Sequence, residues 1–496
     1  MKDDWLVILP ILLPMSGAAL GMLIRKYRRL QVILTIAAIL SSLAISFALL
    51  YRVVISGKPI VVQVGGWQAP AGITLIGDYL SAFMVLMSQI VMSAGISYAA
   101  SCRDKCVRYP AFYPLFLTLA TGLTGAFLTG DLFNLFVFSE LMVISGAVLT
   151  AISDDQFGVE AAYKYFYTSL LATVFLLLSC GVLYGTYGTL NIADLSRQIN
   201  ASPALPLTSL AMLLLLAFFM VKSAVVPFHF WQPDFHTAAT TPLSALLSSV
   251  VVKLGVYGFI RMTTLLFLDQ AAGIRQLLIV MGCVGVILGG LGATGTHNVK
   301  RMLAYSTLAQ IGFILTAIGW GTPLSLAAAL IFTFNHSLIK SAMLMLAGGI
   351  ASRAAVKSAS YQVLVGIGKV NPAAGVLFFL GGIALAGIPP TNGFISKLIF
   401  FTSGVEAQAY LPMGVIGIAS LLTLVYTTRG FMRIWWVVPD VAPKVKPDGD
   451  RLFIPALLII LCLVLGVWAD PLVNLSLRIV NWLGDPSLYI RAVLGG

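Results

Sequence analysis

Apolar stretches of about twenty residues recur from one end of the chain to the other, each long enough to cross a bilayer as a helix. Barrel strands are shorter and alternate, so the spanning elements must be helices. Of the 496 residues, 59% are hydrophobic and 10% charged; a soluble domain carries about a quarter charged residues. The fold class implied is an all-α polytopic membrane protein. No segment between apolar runs exceeds a loop, so residues 1–496 read as a single membrane domain.

About fourteen spans can be placed, near 5–24, 30–51, 74–99, 111–129, 132–151, 166–187, 207–227, 243–262, 274–294, 303–320, 324–350, 373–401, 412–434 and 452–469. Residues 52–73 alternate β-branched and polar side chains and contain two prolines and several glycines, which predicts a short hairpin outside the membrane. The tail after Asp470 is weakly amphipathic and is expected at an interface. Residues 1–110 thus hold helices 1–3 and the hairpin, and 452–496 hold helix 14 and the tail.

Lys and Arg concentrate in alternate loops: Arg25, Lys26, Arg28 and Arg29; Arg103, Lys105 and Arg108; Lys300 and Arg301; Arg353, Lys357 and Lys369; Lys444, Lys446 and Arg451. The positive-inside rule makes these loops cytoplasmic and places both termini outside a bacterial cytoplasmic membrane. The net charge of +12 is dispersed, without interleaved aromatics, and excludes a nucleic-acid surface. The five cysteines do not suggest a disulfide framework, and neither metal-ligand spacing nor a phosphate loop is present, so no cofactor is expected. Lys2 is followed by Asp3 and Asp4, and the first apolar run lacks a cleavage site, so it reads as a retained span.

Two spans carry an interruption. In LTSLAMLLLLAFFMVKSAVVPFHFWQPDFHTAATTP, Lys222 precedes Pro227 and a polar stretch with His229, Asp234 and His236. In GVLFFLGGIALAGIPPTNGFISKLIFF, Gly387, Pro389, Pro390 and Gly393 precede Lys397. Proline removes an N–H and frees nearby carbonyls, which membrane proteins tolerate where backbone lines a polar path. Helices 7 and 12 therefore read as broken. They lie five spans apart with opposite sense, as in an inverted repeat of helices 4–8 (111–262) and 9–13 (274–434).

The charges inside the spans define the chemistry. Glu140 is the one carboxylate placed deep in a span, whereas Lys222, Lys253, Lys340 and Lys397 are deep lysines. His336 lies four residues before Lys340, on the same helix face. Each buried lysine costs about 2.5–3.5 kcal/mol on insertion scales and needs a partner or water. In a low-dielectric interior a lone ammonium loses its proton readily, and an opposed carboxylate retains it. Glu140 is the natural partner of Lys222. Its withdrawal would send a proton to Lys253, then to His336, with Lys397 as terminal group. Static ion pairs gluing helices together are the competing reading. Tyr305, Ser306, Thr307, Gln310, Ser248 and Ser249 are candidate water-path or packing residues, and His229 and His236 either line a cytoplasmic mouth or sit in a solvated loop.

The segments GDLFNLFVFSELMVISG, KSAVVPFHFWQPDFHTAATTPLSALLSSVVVKLGVYGFIR, NVKRMLAYSTLAQIGFI, FNHSLIKSAMLMLAGG and LAGIPPTNGFISK strongly resemble the antiporter-like subunits shared by respiratory complex I and the Mrp multisubunit Na+/H+ antiporters. Within that family, FNLFVFSEL and KSAVVPFHFW are most similar to the D-type subunits of the Mrp complexes. The resemblance implies fourteen helices with an inverted repeat. It implies an essential pair, Glu140 and Lys222, a central relay lysine, Lys253, a polar position in helix 11, His336, and a terminal lysine, Lys397. It also implies partners: the other subunits of a hetero-oligomeric antiporter, the lipid bilayer, protons and Na+. A Na+ site cannot be assigned, because the acids are few and scattered. A proton-pumping module of a redox-driven complex and an inert scaffold subunit are the alternatives.

Overall fold

The computed structural model describes residues 3–153, 155–201, 205–356, 358–367, 371–438, 445–446 and 448–495. Lys2, Lys357, Lys369 and Lys444 lie outside the described residues.

The chain opens with α1 (Trp5–Leu23) and α2 (Arg28–Ser56), then a hairpin of β1 (Ile60–Gln63) and β2 (Thr74–Gly77). There follow α3 (Tyr79–Ser101), α4 (Phe112–Leu128), α5 (Leu132–Ala151), α6 (Gln156–Tyr187), α7 (Ile192–Ala201), α8 (Pro206–Lys222) and α9 (Trp231–Ala238). The central run is α10 (Thr241–Leu246), a π turn over Leu247–Val251, α11 (Lys253–Arg261) and a second π turn over Met262–Leu266. The second half contains α12 (Ala271–Gly295), α13 (Val299–Trp320), α14 (Pro323–Ser352), α15 (Tyr361–Leu364), α16 (Pro372–Ala386), α17 (Asn392–Glu406) and α18 (Tyr410–Trp435), and the chain closes with α19 (Phe453–Val467), α20 (Asp470–Leu483) and α21 (Pro486–Leu494).

Among the described residues, ten helices are long and apolar enough to cross a membrane, counting Thr241–Leu266 as one. Helices α4, α8 and α16 are apolar but shorter, and α19 with α20 form a pair bent by 76°. Several helices start where the sequence supplies a cap. Asp78, Asp131, Asp155, Asn298 and Asn371 each accept a backbone N–H from the first turn, and Thr322 makes a capping box with Ser325.

Burial is graded from the centre outward. Thr241–Leu266 is wholly buried, α13 and α14 nearly so, whereas α1, α2 and α18 keep most of their surface outside. Small residues permit close packing at the centre. A Cβ at Gly255 of α11 would lie 1.9 Å from Ser223 Oγ and 2.4 Å from the Phe219 carbonyl, so only glycine lets α11 lie against the end of α8. The bundle has two distinct ends. At one, the hairpin bridges the α4–α5 turn through Leu75 and Thr129, and Gln63 donates to the Val493 carbonyl beside α21. At the other lie the basic loops, where Asn298 bridges Ser360 and Ala354 bridges Val445.

Several sequence expectations need correction. The hairpin occupies 60–77 and not 52–73: α2 continues to Ser56, with Arg52 paired to Asp3 at 2.8 Å, and Gly57 ends it at φ 67°. Helix α6 begins ten residues before the expected 166, because Asp155 caps it and Lys164 pairs with Glu160 at 2.6 Å. The tail also packs on the bundle: α20 rests on α14 and α3, and α21 on α7, burying Trp482 and Tyr489. Lys300 is buried in α13, donating to the Ala239 carbonyl at 3.2 Å.

Glu140 lies inside α5, and two further acids are buried at helix ends and loops. Asp78 is fully buried against Arg261, and Asp450 is buried at the basic end. Asp450 accepts from Tyr98 OH at 2.8 Å, Cys102 Sγ at 3.3 Å and the Arg103 N–H at 2.9 Å. Burial, and then the Asp450 charge, push the Cys102 thiol up to about 12. The five cysteines are free thiols.

Candidate ion-translocation site

Helix α8 ends at Lys222 and helical structure resumes at Trp231. The lysine is therefore the last residue of its helix, where the C-terminal carbonyls favour a cation. Its Nζ is buried without a hydrogen-bond partner and lies 5.5 Å from the Phe218 ring centroid. Glu140 sits midway along α5, with Oε1 buried and likewise without a partner. The two make no ion pair within 4.0 Å, although the carboxylate is close enough to act on Lys222 electrostatically. The two are thus not in salt-bridge contact in this structure.

Lys253 opens α11 immediately after the π turn at Leu247–Val251. A π turn inserts one residue into the helical ladder and re-aims the side chains beyond it, a frequent device at functional sites. Here it sends Lys253 Nζ to within 2.6 Å of His336 Nδ1 on α14, with the Ser248 carbonyl at 3.5 Å. Both residues are buried, and His336 Nε2 is left without a partner. Lys340, one turn further along α14, donates to the Leu303 carbonyl at 2.9 Å. Among the residues expected to line a path, Ser248 bonds Thr307 at 2.6 Å and Ser306 bonds Tyr426 at 2.6 Å.

The second interruption is built differently. Helix α16 ends at Ala386, Gly387 turns at φ 80°, and α17 starts at Asn392. Lys397 folds back across the break, and its Nζ donates to the Ala386 carbonyl at 2.7 Å. Lys222 and Lys397 therefore both lie at the C-terminal end of the leading half-helix, one as its last residue and the other reaching back to it. A small cavity of about 10 Å³, room for about one water, lies between His336 and Lys397, lined also by Gln310, Asn335, Gly393 and Ser396.

The sequence reading missed the amide cluster beside that cavity. Asn335 Nδ2 donates to Ser396 Oγ at 2.8 Å and to the Asn392 carbonyl at 3.2 Å, and Asn392 Nδ2 donates back to Asn335 Oδ1 at 3.2 Å. The signal was available: two asparagines inside otherwise apolar spans, one next to His336. His236 does not sit in a solvated loop. It is fully buried in α9 with Ser244 Oγ at 3.2 Å, while His229 is only partly covered. Asp234 bridges Lys164 at 2.9 Å and Arg301 at 3.2 Å, tying α9 to α6 and α13.

A bundle of many apolar helices, with buried lysines at or beside helix ends, defines a polytopic membrane protein. The transmembrane family described as NADH:quinone oxidoreductase/Mrp antiporter matches residues 129–423, more than half of the chain, and the chain belongs to that family. It is 30% identical over 495 residues to the D-type subunit of the Na+/H+ antiporter of Alkalihalophilus pseudofirmus, covering 99% of each chain. A chain of the Mrp complex from a Dietzia species superposes with a TM-score of 0.91 at 26% identity, covering 100% of both chains. A chain of the membrane-bound sulfane sulfur reductase, an archaeal respiratory membrane complex, superposes with a TM-score of 0.90 at 30% identity, covering 98% of this chain and 99% of that one.

Proposed function

We propose that this chain is the proton-translocating subunit of a multisubunit cation/proton antiporter, resident in a bacterial inner membrane and exchanging protons for Na+. The observation that carries the reading is the 2.6 Å contact between Lys253 and His336, set in the interior between two interruptions that each present a buried lysine. Two basic groups in hydrogen-bond contact can share one proton between them, and repulsion disfavours a second. Such a pair passes a proton on when another arrives.

In this reading Glu140 holds a proton on Lys222 electrostatically, through space. A change in that separation releases it towards Lys253, His336 receives it, and Lys340 on the same helix face biases the exchange by its charge. The cavity beside Asn335 and Ser396 leads onward to Lys397, the terminal group. The chain carries out no bond-making catalysis; its chemistry is proton transfer. Fourteen spans result if α4, α8, α16 with α17, and α19 join the ten long helices. The shared placement of Lys222 and Lys397 supports an inverted repeat of spans 4–8 and 9–13, in one domain. The basic end then faces the cytoplasm and both termini lie outside.

The likeness to the sulfane sulfur reductase chain favours one second reading, a proton-pumping module driven by redox chemistry in partner subunits. Everted vesicles separate the two. The chain is expressed with its genomic neighbours in cells lacking their own antiporters, and a pH-sensitive dye follows the response to added Na+. Na+-dependent loss of the pH gradient, absent in Lys222→Ala, is the expected result. No response to Na+, K+ or Li+ from a verified complex overturns the antiporter reading in favour of the redox-driven module.

A further inference from the structure

The two basic loops nearest the start of the chain come together at one end of the bundle. The turn between α1 and α2 exposes Arg25, Lys26, Arg28 and Arg29, and the α3–α4 loop exposes Lys105 and Arg108. Gln31, buried in the first turn of α2, staples the two. Its Nε2 donates to the Gly21 carbonyl at 2.7 Å and to the Pro110 carbonyl at 3.0 Å. Among the described residues, no acid lies within ion-pair distance of these six cations. Asp104, the acid of the same loop, accepts the Cys106 N–H at 3.2 Å.

Two helices begin at this cluster, α2 at Arg28 and α4 at Phe112, and neither has a side-chain cap or an acid in its first turn. The free N–H groups of a helix start favour negative charge, yet α2 places Arg28 and Arg29 there. Tyr113, in the first turn of α4, is buried with its hydroxyl unpaired, and the Arg28 guanidinium is near enough to act on it. A buried hydroxyl without a partner is costly, and an anion beside Arg28 would accept from it. The rim of the cluster is aliphatic and aromatic: Leu23 is 80% exposed and Tyr27 69%, with Leu30 and Tyr109 also outside. Tyrosines at headgroup level beside exposed leucines match an amphiphile, whereas a free phosphate needs no apolar rim. The positive-inside rule accounts for the charges alone. It does not call for two uncapped helix starts and an orphaned hydroxyl at the same place.

We propose that this cluster is a binding site for the phosphate of an anionic phospholipid, held by Arg28, Arg29 and the Tyr113 hydroxyl, with the acyl chains along Leu23 and Leu30. Under the orientation proposed above the lipid belongs to the cytoplasmic leaflet, and its binding does not depend on ion exchange. The assembled complex is purified in neutral detergent with excess phosphatidylcholine, then titrated with phosphatidylglycerol carrying a photoreactive acyl chain. After photolysis, the label on this subunit is read from a denaturing gel, and the half-saturating lipid fraction is taken from the titration. Arg28→Gln/Arg29→Gln raises that fraction about 30-fold, roughly fivefold for each charge lost near a membrane surface. Lys446→Gln/Arg451→Gln, which removes two exposed cations from another basic segment, labels as wild type does. Wild-type labelling of the Arg28/Arg29 variant, or equal loss in both variants, overturns the proposal; the latter result marks general surface charge. Displacement of the probe by millimolar inorganic phosphate overturns the lipid assignment in favour of a free anion. Should the Arg28/Arg29 variant fail to assemble, Tyr113→Phe decides, because it keeps every charge. A rise of a few-fold in the half-saturating fraction then supports the site, and wild-type labelling refutes it.

Discussion

Gly393→Ala is the sharpest perturbation the structure offers. Gly393 is the second residue of α17, and a Cβ there would lie 1.8 Å from the Ala384 carbonyl oxygen and 2.9 Å from its carbon. Contacts of this kind are comfortable only beyond about 3.2 Å, so the two half-helices must part by roughly 1.4 Å. Both sides of the clash are backbone, so no rotamer change relieves it. Lys397 rides on the displaced helix, and its 2.7 Å bond to the Ala386 carbonyl lengthens beyond hydrogen-bonding range. Misplacement of a reacting group by about 1 Å costs on the order of 10²-fold in rate. Na+-dependent dissipation of the pH gradient in everted vesicles should therefore fall about 10²-fold, with the complex still recovered intact by affinity purification. Gly414→Ala is the control, since a Cβ there meets nothing within 4 Å. Wild-type exchange by an assembled Gly393→Ala complex would show that the placement of Lys397 does not limit transport.

Glu140→Ala should abolish exchange and Glu140→Asp retain part of it, because the carboxylate acts on Lys222 through space and not through one fixed bond; equal activities in the same vesicle assay refute that. Lys253→Met should lower exchange by about 10²-fold or more, the usual contribution of a positioned proton donor, and His336→Phe should match it within a few-fold because the two act as one unit. Asp450→Ala strands Tyr98, Cys102 and Arg103, and should destabilise the protein by roughly 2–4 kcal/mol, read as a lower melting temperature in detergent. Cys102, raised from 9.0 to about 12, stays a neutral thiol at pH 8 and should resist maleimide until the protein unfolds. The stability linked to this shift is fully present below pH 9.0 and is lost as pH rises towards about 12, so melting temperature should fall across that window.

The elements that were legible in the sequence were those governed by composition and local chemistry. Long apolar runs located most of the helices, and Pro227, Pro389 and Pro390 fall between helix ends, because proline acts on its own turn. The deep lysines were legible because charge in an apolar run has few explanations. The features that escaped depended on geometry between distant segments. Asp78 looks like a boundary acid until Arg261, 183 residues later, is brought against it. The π turn before Lys253 leaves no mark in LLSSVVVK, because one extra residue in a ladder changes no composition. The separation of Glu140 and Lys222 was not legible for the same reason: opposite charges on two helices do not specify their distance.

The two ends of the path differ in what genetics can see. Glu140 is a side chain, and any substitution reports on it. The acceptor that holds Lys397 is the peptide oxygen of Ala386, which every residue at that position would supply. A scan of side chains will therefore find the donor at the second interruption and never its partner. The partner can be reached only by changing where the backbone goes, at Gly387 or Gly393, or by replacing the amide itself with an ester. Half of this contact is written in main chain and is silent to ordinary mutagenesis.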